Sequence, residues 1–180
     1  MTTSLLHEVT ASLDAVGVRH ALIGAGALAV HGIARSTFDL DLLTTQTVAL
    51  DAATWTTLAA DTRVQVSVRR GDADDPLAGV VRIAREGERP VDVVVGRASW
   101  QTDAIDRAQP VVVAGVRLPV VVPADLILLK LYAGGSQDRW DIDQLLSGDA
   151  RQALVDEVDK RLDRLPADCR SAWTKIVARK

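Results

Sequence analysis

Apolar residues at Leu5, Val9, Leu13 and Val16 recur at spacings of three and four from Ser4 to Val16, one face of a helix that Gly17 ends. His20 to Ile23 is a short apolar run before Gly24 and reads as a buried strand entering a glycine turn. Residues Gly26 to His31 are small and helix-compatible, with Gly32 closing the helix. From Phe38 to Leu43 the pattern switches to alternation, which in a strand puts Asp39 and Asp41 on one face and Leu40 and Leu42 on the other.

Further along, the pattern predicts a helix over Val48 to Ala60 and strands over Val64 to Val68 and Gly79 to Ala84, separated by the turn-rich stretch Gly71 to Pro76. A hairpin turn from Glu86 to Pro90 leads to a buried strand, Val91 to Val95, that carries Asp92. The valine-rich run Pro110 to Val122 breaks at Gly115 and reads as a second hairpin. From Pro123 the period changes. Proline in the first turn, Asp125 beside it and an apolar run to Leu131 make a buried helix that Gly134 and Gly135 break. Gln137 to Leu146, Arg151 to Leu162 and Arg170 to Ala178 follow as helices. Neither a repeat nor a linker interrupts the chain, so residues 1–180 are expected to form one domain, a sheet-bearing core over 1–122 and a helical part over 123–180.

The 180 residues are 48% hydrophobic and 25% charged, enough to bury a core and inconsistent with a disordered or low-complexity chain. A formal charge of −3 supplies no global attraction to nucleic acid, so any such contact must be local. Cys169 is the only cysteine, which excludes an internal disulfide and a cysteine zinc cage and suits a reducing compartment. His7, Glu8 and Asp14 interrupt the first apolar stretch, and no segment approaches the ~20 apolar residues of a membrane span. The expectation is a cytoplasmic protein without a membrane partner.

Two carboxylates at i and i+2 of a strand lie roughly 6 to 7 Å apart on one side, near enough for both to ligate a divalent cation. Left without a cation or hydrogen-bond donors they would repel each other. An isolated Asp-x-Asp is common and can equally belong to a solvated edge strand. Gly24 changes the weighing, because a strand-to-helix turn exposes backbone amides suited to phosphate.

The segment IGAGALAVHGIARSTFDLDLL, Ile23 to Leu43, resembles the signature of the DNA polymerase beta-like nucleotidyltransferase superfamily: a hydrophobe, Gly, a small residue, a spacer and Asp-x-Asp. Thirteen residues separate Ala25 from Asp39, as in that pattern. His31, Gly32, Arg35, Thr37 and Asp39 resemble the AbiEii-type group, whose members include toxins of bacterial toxin–antitoxin systems. A second stretch, PADLILLKLYAGGSQDRWDIDQLL from Pro123 to Leu146, is similar to the lysine-bearing helix and the following Asp-Arg-x-Asp helix of that group.

The resemblance implies an α/β (α+β) fold with a mixed sheet flanked by helices and a short helical C-terminal part. It implies transfer of a nucleoside monophosphate from a triphosphate to a hydroxyl, with one or two Mg²⁺ held by Asp39, Asp41 and Asp92, the last also taking the hydroxyl proton. Gly24 and Ala25 would offer amides to the triphosphate, Lys130 would neutralise phosphate charge, and Asp141 would position that lysine or Arg139. Bland readings remain beside these. Asp92 can cap its strand, Lys130 can snorkel to water, and Arg35 and Thr37 either line the nucleotide pocket or hold their loop. Ala25 stands where Gly or Ser is usual in the family, which removes a hydroxyl from the phosphate seat.

The implied partners are a nucleoside triphosphate, a tRNA 3′ end as first acceptor, a protein side chain or a small molecule such as an aminoglycoside after it, and a cognate antitoxin. The oligomeric state is open. A protein-interaction or nucleotide-binding module that kept the fold without turnover is the rival reading. Arg82, Arg85, Arg89 and Arg97 flank the Asp92 strand, and further basic residues run from Lys160 to Arg179 and Lys180. Trp55, Trp100, Trp140 and Trp173 are expected as core or interface anchors.

Overall fold

The first helix, α1 (Leu5–Ala15), forms where the three-and-four spacing placed it and buries Leu5, Leu6, Val9 and Leu13. The computed structural model describes residues 4–35 and 37–178; Arg179 and Lys180 of the basic tail lie outside them. The chain divides into two compact units, Met1–Val30 with Ala34–Val121, and His31–Ile33 with Val122–Lys180.

The first unit holds a seven-stranded mixed sheet. Its elements are β1 (Ala21–Ile23), α2 (Gly24–Val30), β2 (Leu40–Thr44), a one-turn α3 (Thr56–Ala59), β3 (Val64–Arg70), β4 (Leu77–Arg85), β5 (Val91–Gly96), α4 (Ser99–Asp106), β6 (Gln109–Val113) and β7 (Val116–Val120). The spatial order is β3-β4-β5-β2-β1-β7-β6. The pairs β2–β5 and β1–β7 are parallel, and the others are antiparallel. Ala114 and Gly115, both at positive φ, turn the β6–β7 hairpin, as the break at Gly115 predicted.

Three local expectations are corrected. Val48 to Ala60 is not one helix but two 3-10 turns, Thr47–Leu50 and Ala52–Trp55, followed by α3. Threonine is the reason: Thr54 Oγ1 donates to the Val48 carbonyl and Thr56 Oγ1 to that of Ala53, local bonds that compete with a regular helix. Helix α4 falls in a stretch with no predicted element, because its eight residues give too short a periodic signal. Strand β2 begins at Leu40, leaving Asp39 just before it.

The sheet half β3–β4–β5–β2 is buried on one face. Leu42, Val81, Ile83, Val91, Val93 and Val95 point to that face and are all sealed from solvent. Arg85, on the same face of β4, donates to Glu8 of α1 at 2.6 Å, so α1 covers it. The opposite face of β3 and β4 stays open, with Ser67, Arg69 and Arg82 exposed.

In the second unit α5 (Pro123–Ala133) contacts α6 (Ser136–Leu145), α7 (Arg151–Asp159) and α8 (Ala167–Val177). Leu126, Ile127, Leu128 and Leu131 of α5 are buried, consistent with a central helix that is apolar on nearly all sides. Pro123 opens it and Gly134, at φ 71, closes it in the left-handed conformation. Trp173 is buried and donates to Asp159 at 2.7 Å. Trp55 and Trp100 are core residues of the first unit, but Trp140 is 44% exposed and is not.

Candidate active site

Strand register builds the site. Ile23 of β1 lies opposite Asp41 of β2, Asp41 opposite Asp92 of β5, Asp92 opposite Arg82 of β4, and Arg82 opposite Ser67 of β3. Neighbouring strands run about 5 Å apart, so Asp41 and Asp92 are side by side in one row across the sheet. Alternation does the rest. Their flanking residues Leu40, Leu42, Val91 and Val93 are buried on the other face, so the carboxylates point to the open one.

Asp39, although outside the strand, is held beside this row. Thr37 Oγ1 donates to its carbonyl at 2.9 Å and to its Oδ1 at 3.2 Å, and Arg82 Nη1 lies 3.5 Å from its Oδ2. Thr37 therefore secures the loop that carries Asp39. Arg82 Nη1 also donates to Asp92 Oδ2 at 2.6 Å. The second oxygen of Asp92, Oδ1, is buried without a hydrogen-bond partner among the described residues. Burial pushes the Asp92 carboxyl above the usual aspartate range; Arg82 opposes that shift and the charge of Asp39 adds to it.

Gly24 follows β1 directly and opens α2, at φ +61. A Cβ there would collide with Asp41 Oδ2 and come 3.1 Å from its Cγ. The glycine is thus required twice, by the left-handed backbone and by the close approach of the Asp41 carboxylate.

No protein-family model matches the chain, and no curated protein matches it by sequence. Solved structures do match in three dimensions. The solution structure of the antibiotic-resistance factor ANT(2'')-Ia superposes with a TM-score of 0.56 at 14% identity, covering 89% of this chain and 90% of that one. A crystal structure of ANT(2'')-Ia in complex with adenylyl-2''-tobramycin gives 0.55 at 13%, covering 89% and 96%. A Thermotoga maritima protein assigned as a nucleotidyltransferase gives 0.54 at 16%, covering 79% and 90%. The fold is nucleotidyltransferase-like. The mixed sheet flanked by helices that the motif implied is therefore present.

In this nucleotidyltransferase-like fold the donor set suits a hard divalent cation by its chemistry. It offers carboxylates on adjacent strands, and one of them, Asp92, has a buried, unbonded oxygen and is raised in pKa by its burial. Among the described residues, however, no three acidic, histidine or cysteine side chains converge to hold a metal as they stand. The cation on Asp39 and Asp92 is the guanidinium of Arg82. A cleft of about 310 Å³, lined by Ser67, Arg69, Val80, Arg82 and Asp92, opens beside it. A larger cleft of about 480 Å³ at the other end of β1 has Arg19 paired with Asp106 and His20 Nδ1 3.1 Å from the Val18 carbonyl; it contains none of the acidic row.

Ala25 is buried at the start of α2, and Arg35 is half-buried in the loop before Thr37. Lys130 belongs to the second unit and does not snorkel: it is buried, 2.5 Å from Asp141 Oδ2 and 3.2 Å from Asp138 Oδ1. Gln137 Nε2 approaches the other Asp141 oxygen at 3.4 Å. Asp141 therefore positions Lys130, whereas Arg139 is exposed and lines a cleft with Asp168, Ser171 and Lys175 of α8. Of the arginines flanking the Asp92 strand, Arg82 reaches Asp39 and Asp92. Arg85 faces the core and Arg97 donates to the Asp72 carbonyl at 2.8 Å. Sequence reasoning named Arg82 beside the Asp92 strand but gave it no place in the site, although a single charge within GVVRIA marked it as the open-face position of its strand.

Proposed function

We propose that the chain is a nucleotidyltransferase that moves a nucleoside monophosphate from an NTP to a hydroxyl, with release of pyrophosphate and dependence on Mg²⁺. The observation that carries this reading is the cross-strand pairing of Asp41 with Asp92, with Gly24 closing against Asp41 at the helix start. Asp39, Asp41 and Asp92 would hold the ion, which supplies Lewis-acid charge to the triphosphate. Asp92, raised in pKa and half unbonded, is suited to accept the proton of the attacking hydroxyl. The amides of Gly24 and Ala25 would face the triphosphate, and Arg35 and Thr37 would line the nucleotide pocket.

For the acceptor, a tRNA 3′ end stands first, as in the AbiEii-type toxin group. ANT(2'')-Ia, with its adenylyl-2''-tobramycin, raises an aminoglycoside as the competitor. The exposed Arg69 and the Ser67 hydroxyl beside Asp92 suit a phosphate-bearing acceptor better than a polycation. Labelled-nucleotide transfer to total RNA and to aminoglycosides tests this. Asp41→Asn and Asp92→Asn should each lose about a hundredfold or more in rate; undiminished transfer would remove the acidic row from the chemistry. Growth arrest on expression, relieved by a neighbouring gene product, is the result expected of a toxin with a cognate antitoxin.

Two observations favour a second reading, a nucleotide-binding module without turnover: Ala25 has no hydroxyl, and Arg82 sits on the carboxylates. Calorimetry with each NTP, with and without Mg²⁺, beside the transfer assay separates the two. Tight Mg²⁺-dependent binding with no product supports the module.

A further inference from the structure

Two carboxylates that no hydrogen bond joins are drawn together here by a cation of the protein's own. Arg82 Nη1 bonds Asp92 Oδ2 at 2.6 Å and lies 3.5 Å from Asp39 Oδ2. A guanidinium in that position neutralises two of the three groups that would hold a divalent ion. It leaves Asp92 Oδ1 buried and unbonded, so the site is only half satisfied by it. The side chain is 45% exposed and borders the cleft formed with Ser67, Arg69 and Val80, into which it can turn by side-chain rotation without disturbing the β4–β5 ladder.

We propose that Arg82 is a positioning residue that holds Asp39 and Asp92 together as their counter-ion and yields them to an incoming divalent cation, so that ion entry and withdrawal of its guanidinium are one exchange. The identity of the incoming ion rests on the nucleotidyl-transfer reading; the counter-ion role rests on the two contacts. An arginine that merely stitched β4 to β5 would behave differently: its removal would leave ion affinity unchanged, or lower it by loosening Asp92.

The test is Mn²⁺ titration calorimetry on the full chain without nucleotide, comparing the parent protein with Arg82→Gln and Arg82→Lys, each checked for an unchanged thermal transition. Arg82→Gln should bind Mn²⁺ about tenfold more tightly, since a charge-assisted hydrogen bond no longer has to be broken. Arg82→Lys keeps the charge and should stay near the parent value. In ¹⁵N NMR, the hydrogen-bonded guanidinium signals of Arg82 should collapse to solvent-averaged ones at saturating Mg²⁺. Unchanged or weaker affinity in folded Arg82→Gln, guanidinium signals indifferent to Mg²⁺, or no ion binding by either protein would each overturn the exchange. A transfer assay on the same preparations separates the two claims. Tighter binding without transfer leaves Arg82 in its role and removes the enzymatic reading, and transfer without a change in affinity does the reverse.

Discussion

Gly24 and Lys130 show how much single residues carry in this chain. Replacing Gly24 by alanine forces an L-residue to φ +61 and drives its Cβ into Asp41. The expected cost is about 1–3 kcal/mol of stability, read from urea unfolding, with a loss of divalent-ion affinity larger than any loss of helix content. Lys130 sits between Asp138 and the fully buried Asp141, so Lys130→Met should strand a buried carboxylate and destabilise by about 3–5 kcal/mol. Adding Asp141→Leu should restore much of that loss, because an apolar pair of similar volume replaces the ionic one.

At the scale of elements, α1 owes its start to a partner far along the chain. Ser4 caps it at 3.4 Å to the His7 amide, but the Leu5 amide donates to Glu88 Oε2 at 2.7 Å, from the β4–β5 turn. Arg85, also buried, joins Glu88 and Glu8 and so fastens α1 to the sheet. The Leu5 hydrogen bond, with Arg85 helping, holds the Glu88 carboxyl below the usual glutamate range. The folded protein therefore binds that proton less tightly than the unfolded chain. This contribution is complete above the ordinary glutamate pKa and is lost as pH falls through the lower folded value. Glu88→Gln should flatten the acid side of the stability–pH curve, measured as the urea midpoint at successive pH values. An unchanged slope would show that the cap contributes nothing.

For the molecule as a whole, a formal charge of −3 limits what an RNA acceptor could gain from electrostatics. If RNA is the acceptor, only a few phosphates can be met near Arg69, and the salt dependence of KM for RNA should be shallow, with a log–log slope magnitude of about 1 to 2. Arg69→Ala should raise KM for RNA while leaving that for NTP unchanged; a steep slope would point to a larger basic surface elsewhere. Much of the candidate site's placement was legible beforehand. Asp39, Asp41, Asp92 and Gly24 carry recognisable spacing and alternation, and all four lie on the elements expected or one residue from them. Arg82 was not legible as their partner, because its importance depends on the β4–β5 register, which no local pattern encodes.

Local chemistry in the sequence was sufficient for the elements whose signals are short-ranged: the α1 period, the Gly115 hairpin, the Pro123 start and Gly134 stop of α5, and the alternation that turns Asp41 and Asp92 away from the core. Those features follow from backbone geometry within a few residues. The strand order, the row that sets Asp41 beside Asp92 and Arg82, the Glu88 cap on α1 and the burial of Lys130 against Asp141 required the folded chain. They arise between residues from 10 to 83 positions apart, where pairing register and packing, rather than propensity, choose the neighbours.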